Sequence, residues 1–166
     1  LNEMEQEGMS SLVIDLRGNT GGYLAQASEI SSMFLEKGSV IYSLEEKDDK
    51  KVYKDETDEK RTYPIVVLMN DGTASASEIL AAALKDSYGA TLVGETSYGK
   101  GKVQQTKGLD DGSMVKYTTA WWLRRNGNCV DGVGIKPDVE IEMEMPTNGQ
   151  EIEDIQLKEA LKILNG

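Results

Sequence analysis

The stretch PIVVLMNDGTASASEILAAAL, residues 64–84, holds a strand, a turn and a helix in direct succession. Ile65–Met69 is an unbroken apolar run of strand length, and Asn70-Asp71-Gly72 ends it with turn-forming residues. Beyond the turn, Ala76, Ile79, Leu80, Ala83 and Leu84 recur at i, i+3, i+4, i+7 and i+8, an apolar stripe of helical period. Gly89 then stands where a helix C-cap is expected.

The same grammar extends in both directions. Upstream, Ser11–Leu16 (SLVIDL) reads as a buried strand, followed by the turn-rich loop Arg17–Gly22. Leu24, Ala27, Ile30, Ser31 and Phe34 then predict a helix, and Val40–Leu44 a further strand. Glu45–Arg61 carries charge of both signs almost throughout and is expected to be a solvated hairpin or loop without a binding role. Downstream, Ala90–Val93 is a short strand. Val103–Leu123 fits a hairpin turning at Asp111-Gly112, and Pro137–Met143 fits an edge strand. Asp154–Leu164 predicts a closing helix with Leu157, Ala160, Leu161 and Leu164 on one face. Alternating strands and helices imply an α/β fold with parallel pairing, to which the late hairpin adds antiparallel strands. In such sheets ligands sit beyond the carboxyl ends of the strands. The loops Arg17–Gly22, Asn70–Ser75 and Gly94–Gly101 leave three such ends and are expected to meet at one edge.

Composition narrows the chemistry that this edge can carry. The 166 residues suffice for one domain with its own core. Lys and Arg number 18 against 29 Asp and Glu, a net charge of -11 that disfavours nucleic acid and anionic membrane as partners. The chain has no histidine, which removes Ser-His-Asp and Cys-His mechanisms and His-ligated metal sites. Its one cysteine, Cys129, cannot form an internal disulfide or a zinc cluster. A general base must therefore be a carboxylate, a lysine or an amine. No apolar run reaches the length of a membrane span. The opening LNEMEQEGM, without an initiating Met, reads as the middle of a helix, and the chain is expected to be a core cut from a longer protein.

Each loop has a structural and a chemical reading. Gly94–Gly101 (GETSYGKG) nearly matches a phosphate-binding loop, but Gly101 replaces the required hydroxyl and a hairpin follows instead of a helix. What remains is Lys100 held between two glycines. In Asn70–Ile79, Ser75 and Glu78 fit a capping box. A serine at a helix start can also act as a nucleophile, with the free N–H of Ala76 as oxyanion donor; Ser77 is the competing serine, turned away. In Asp15–Gly22, Asp15 and Arg17 are expected to form an ion pair, and Gly21 or Gly22 offers a second exposed N–H. A serine, a lysine and two backbone donors are the parts of a Ser-Lys hydrolase.

The segments SLVIDLRGNTGGYL, VVLMNDGTASASEILAAALKD, ATLVGETSYGKGKVQ and DGVGIKPDVEI occur in this order over nearly the whole chain. Together they resemble the catalytic domain of the carboxy-terminal processing peptidases, or tail-specific proteases. The ASASE and GKGKVQ blocks, with Ser75 and Lys100 separated by 25 positions, are the specific part. The resemblance implies a crotonase/Clp-peptidase-like core of repeated β-β-α units and makes residues 1–166 a single peptidase core. It implies Ser75 as nucleophile, Lys100 as general base and Gln104 as the lysine's support. The oxyanion donors would be Ala76 and Gly21, with Gly22 the less favoured glycine. It also implies a protein or peptide substrate cut near its C-terminal end, with no cofactor and no metal. A PDZ-like domain would lie in cis, and the protein would be extracytoplasmic, in a bacterial envelope or plastid lumen. Self-association is left open. The family's usual Pro-Gly turn after the hairpin is replaced by Arg124–Cys129, read as a loop variant in which Cys129 is incidental. Two rivals share the fold: a catalytically silent binding module, and a crotonase-like acyl-CoA enzyme. The intact Ser75, Lys100 and Gln104 speak against the first. A lysine in place of the usual carboxylate base speaks against the second.

Overall fold

In the computed structural model, which describes residues 1–143 and 153–166, the strand Ile65–Met69 is the centre of the molecule. The elements in order are α1 (Asn2–Gln6), β1 (Leu12–Asp15), α2 (Leu24–Ser32), β2 (Val40–Glu45), β3 (Lys50–Lys54), β4 (Ile65–Met69) and α3 (Ala76–Ala83). A π-helical turn at Leu84–Tyr88 extends α3. There follow β5 (Thr91–Gly94), β6 (Lys102–Gly108), β7 (Met114–Leu123), β8 (Val139–Glu140) and α4 (Ile155–Asn165). They form two four-stranded sheets, one ordered β1-β4-β5-β8 and the other β3-β2-β7-β6. The first is parallel throughout and the second antiparallel, so the mixed α/β architecture is the expected one.

β4 is uniformly apolar because both of its faces are covered. Ile65, Val67 and Met69 pack with Ile79, Leu80 and Leu84 of the α3 segment, together with Phe34, Leu35 and Trp122. Val66 and Leu68 face the other way, onto Val93, Leu157, Ala160, Ile163 and Leu164. A strand sandwiched between helices on both sides has no polar face, hence the continuous run. Each such side chain contributes about 1.5–3 kcal/mol by leaving water. Truncating fully buried Leu68 to Ala would cost about 2–5 kcal/mol.

The apolar stripe of residues 76–84 does form a helix. Its last turn widens to π before Gly89, which takes a left-handed φ of 95° and donates its N–H to Leu84 O at 2.9 Å. The charged tract from Glu45 folds back as β3 on β2, with Tyr53 stacked on Tyr42 at 4.5 Å between ring centres. The tract is the solvated hairpin expected, exposed throughout except at Tyr53, Asp55 and Arg61. Asp55 is 2% exposed and accepts from the Thr57 N–H and hydroxyl. Arg61 is paired with Glu5 at 2.5 Å, pinning α1 to the body. The edge strand expected over Pro137–Met143 reduces to Val139–Glu140, parallel to β5.

Candidate active site

β1, β4 and β5 run parallel, so their three carboxyl-terminal loops leave from one edge and are stitched to each other. Asn70 Oδ1 accepts from the Gly18 N–H at 2.8 Å and the Gly72 N–H at 3.1 Å. Thr73 Oγ1 donates to Leu16 O at 2.8 Å, and the Ala74 N–H donates to Asn19 O at 3.0 Å. The third loop joins through the Tyr98 N–H, 2.9 Å from Thr73 O. Asp15 and Arg17 are ion-paired at 2.7 Å as expected, and Arg17 also grips Asp154, the N-cap of α4, at 2.8 Å.

Ser75 stands at the start of α3 with φ 57° and ψ −119°, the one non-glycine among the described residues with positive φ. Such a conformation costs a serine on the order of 1–3 kcal/mol and persists only where its surroundings impose it. The surroundings are visible. Gly21 packs so closely that a Cβ there would lie 2.6 Å from Ala74 O and 2.7 Å from Ala76 N. Its own φ of +85° suits glycine alone, so the first loop presses backbone to backbone on the Ser75 turn.

Glu78 holds the other side. Its carboxylate is fully buried. Oε1 accepts from Ser97 Oγ at 2.6 Å and the Gly99 N–H at 2.8 Å. Oε2 accepts from the N–H groups of Ser75 and Lys100, each at 2.8 Å. A capping box accounts for the Ser75 bond alone. The other three cross to the lysine loop, and no local pattern in the sequence announced them.

Lys100 is positioned by backbone on both sides. A Cβ at Gly99 would meet Gly134 N at 2.8 Å, and one at Gly101 would meet Asp131 Cβ at 2.7 Å, so only glycines let this loop seat. The Lys100 carbonyl accepts from Trp122 Nε1 at 2.8 Å, and the Gly101 carbonyl accepts from the Trp122 N–H at 2.9 Å. β6 departs directly from this loop as a strand, which confirms the argument against a phosphate-binding loop. Among the described residues, no carboxylate is ion-paired with Lys100.

Ser75, Lys100 and Gln104 line one cleft of about 400 Å³, with Gly22, Tyr23 and Trp122 among its walls. A register shift between Val103 and Gln104 bulges β6 at the point where Gln104 enters the cleft. The Ala76 N–H has no acceptor among the described residues, as expected of a first-turn amide. At the glycine pair, the N–H of Gly21, the expected donor, bonds to Asn19 Oδ1 at 3.0 Å. The Gly22 N–H has no acceptor among the described residues, and Gly22, not Gly21, lines the cleft. Ser77 is buried behind the turn, beside a separate pocket of about 180 Å³. Among the described residues there is no cluster of His, Cys, Asp or Glu suited to a metal ion.

The chain is 48% identical to the carboxy-terminal processing protease CtpA of Bacillus subtilis over 144 residues, 86% of this chain and 31% of that protein. It is 42% identical to CtpB of the same organism over 164 residues, 98% of this chain and 34% of that protein. It thus spans about a third of the length of these relatives. The photosystem II D1 C-terminal processing protease superposes with a TM-score of 0.78 at 34% identity, over 84% of this chain and 36% of that one. A peptidase-titled structure from Parabacteroides merdae has the same fold at a TM-score of 0.80 and 20% identity, over 99% of this chain and 55% of that one. The model of peptidase family S41 matches residues 1–141, and the chain belongs to that family.

Proposed function

We propose that the chain is the catalytic core of a serine peptidase working through a Ser75-Lys100 dyad. The observation that carries this reading is the strained Ser75 at a helix start, tied through Glu78 to the backbone of Lys100. Ser75 Oγ attacks the scissile carbonyl while the uncharged Lys100 amine takes its proton. The same ammonium then protonates the leaving amine, and a water molecule repeats the sequence to release the acyl group. The Ala76 N–H, at the positive end of α3, holds the developing oxyanion. The second donor comes from the Gly21–Gly22 loop, where the Gly22 N–H is the unengaged one. Gln104 orients the lysine amine from the bulged end of β6.

The relatives named for carboxy-terminal processing support a substrate that is a protein cut near its C-terminal end. On the same likeness we place the protein outside the cytoplasm, with residues 1–166 forming one core served by a PDZ-like domain in cis. Incubation with a fluorophosphonate probe tests the chemistry. Mass spectrometry should find the adduct on Ser75, and Lys100→Arg should abolish labelling, because a guanidinium does not deprotonate in proteins. Labelling of the Lys100→Arg protein would refute the base.

A further inference from the structure

The cleft concentrates positive charge in a chain whose net charge is -11. Lys100, Lys102 and Lys116 all line it, and none of the lining residues is a carboxylate. The three lysines differ in their partners. Lys102 Nζ lies 3.3 Å from Asp131 Oδ2, and Lys100 is assigned to chemistry. Lys116 has neither an ion-pair nor a hydrogen-bond partner for its ammonium among the described residues. Its position follows from the hairpin register. Lys116 pairs with Thr106, and Thr118 pairs with Gln104. Paired residues and those two apart share a face of the sheet, so Lys116 stands on the Gln104 face, about 7 Å farther from Lys100. That is two residues of an extended chain.

An exposed cation without a protein partner, on the wall of a peptide-sized cleft in an anionic molecule, is free to pair with an anionic group of whatever enters. We propose that Lys116 is a specificity-determining residue that receives a carboxylate of the bound peptide on the Gln104 side of the scissile bond, about two residues beyond the point that Gln104 faces. The carboxylate belongs either to an Asp or Glu side chain or to the peptide's own terminus. The global negative charge repels acidic chains at long range, so the local lysine field selects the register of a peptide already in the cleft. This inference rests on the peptidase reading for where the scissile bond lies, but the carboxylate contact can be measured without turnover.

The test is calorimetric binding to the Ser75→Ala protein, using uncharged Ala/Val decapeptides that carry one Glu or one Gln at each successive position, with free or amidated C-termini. A Glu peptide in the right register should bind about three- to five-fold tighter than its Gln twin, the range of an exposed ion pair, and the gap should shrink with salt. Lys116→Gln should erase the gap, Lys116→Arg keep it, and Lys116→Glu turn it toward a Lys-bearing peptide. A preference that survives amidation assigns the carboxylate to a side chain, and one confined to free termini assigns it to the terminus. Equal affinities throughout, no binding at all, or a preference unchanged in Lys116→Gln would overturn the proposal. Cleavage of the same peptides by the unsubstituted protein reports separately. A protein that binds them with Lys116-dependent preference yet cuts none refutes the peptidase reading alone.

Discussion

Ser75 and Lys100 donate their backbone N–H groups to the same oxygen, Glu78 Oε2, each at 2.8 Å. The two residues of the proposed dyad are therefore set by one buried carboxylate, their backbone nitrogens within two hydrogen-bond lengths of each other. Glu78→Gln removes the charge from all four bonds and leaves one oxygen, so that either the Gly99 N–H or the N–H groups of Ser75 and Lys100 must face an NH2 group. Each charge-assisted bond is worth about 1.5–3 kcal/mol, so the substitution should lower unfolding free energy by at least ~3 kcal/mol in urea titration. In the fraction that remains folded, kcat should fall far more than KM changes, because the dyad is displaced while the cleft walls stay. A Glu78→Gln protein with unchanged kcat would show that the tie is only structural.

Ser75→Ala should reduce peptide hydrolysis by at least about 10⁴-fold, whereas Ser77→Ala, altering a side chain outside the cleft, should stay within about three-fold. Ser75→Gly separates function from strain. It should be as inactive as Ser75→Ala yet melt higher, since glycine accepts φ 57° without penalty and relief of such strain is worth about 1–3 kcal/mol. Thermal unfolding of the two inactive variants side by side checks this. Equal melting temperatures would mean that the turn is not strained.

At the glycine pair, Gly21→Ala would drive a methyl group into Ala74 O and Ala76 N, whereas a Cβ at Gly22 meets nothing within 4 Å. Gly21→Ala should destabilise by on the order of 1–3 kcal/mol and cost most of the activity by shifting the Ser75 turn. Gly22→Ala should fold normally by circular dichroism. The reverse ranking of stabilities would refute the packing described for this loop.

Acid should loosen the closing helix. The Arg17 guanidinium holds the carboxyl groups of Asp15 and Asp154 below their ordinary range, against the smaller opposing effect of burial. Depressed carboxylate pKa values stabilise the fold above the unfolded-state value of about 3.9, and that contribution disappears as pH falls through the folded-state values. Arg17→Met should therefore lose stability at neutral pH and show a flatter stability curve below about pH 4 than the unsubstituted chain. Parallel curves for the two proteins in acid would exclude the linkage.

The parallel sheet was legible because β4 and β1 announce themselves by branched apolar runs, and α3 by its stripe and Gly89. The convergence of three loops then followed from topology alone. The lysine loop was legible in its glycines. Three things were not. Glu78 has an i, i+3 partner that explains it locally, which hid its long-range bonds to Ser97, Gly99 and Lys100. Gly21 and Gly22 are identical letters, and only the Asn19 side chain distinguishes their amides. Arg61 and Asp55 sit in a tract whose composition says solvent, yet the pairing of β3 with β2 and the contact with α1 draw them inward.

The indole of Trp122 is 1% exposed and donates to the carbonyl of Lys100, while its neighbour Trp121 is 42% exposed. These two tryptophans are also the only two in the chain. The Lys100 loop thus carries a built-in optical gauge. Trp122 should emit at shorter wavelength than Trp121, and any movement that withdraws Lys100 from its seat must break the indole bond and change that emission. Engagement of the loop can be followed in real time by ultraviolet fluorescence of a Trp121→Phe protein, with no dye attached and no substrate cleaved.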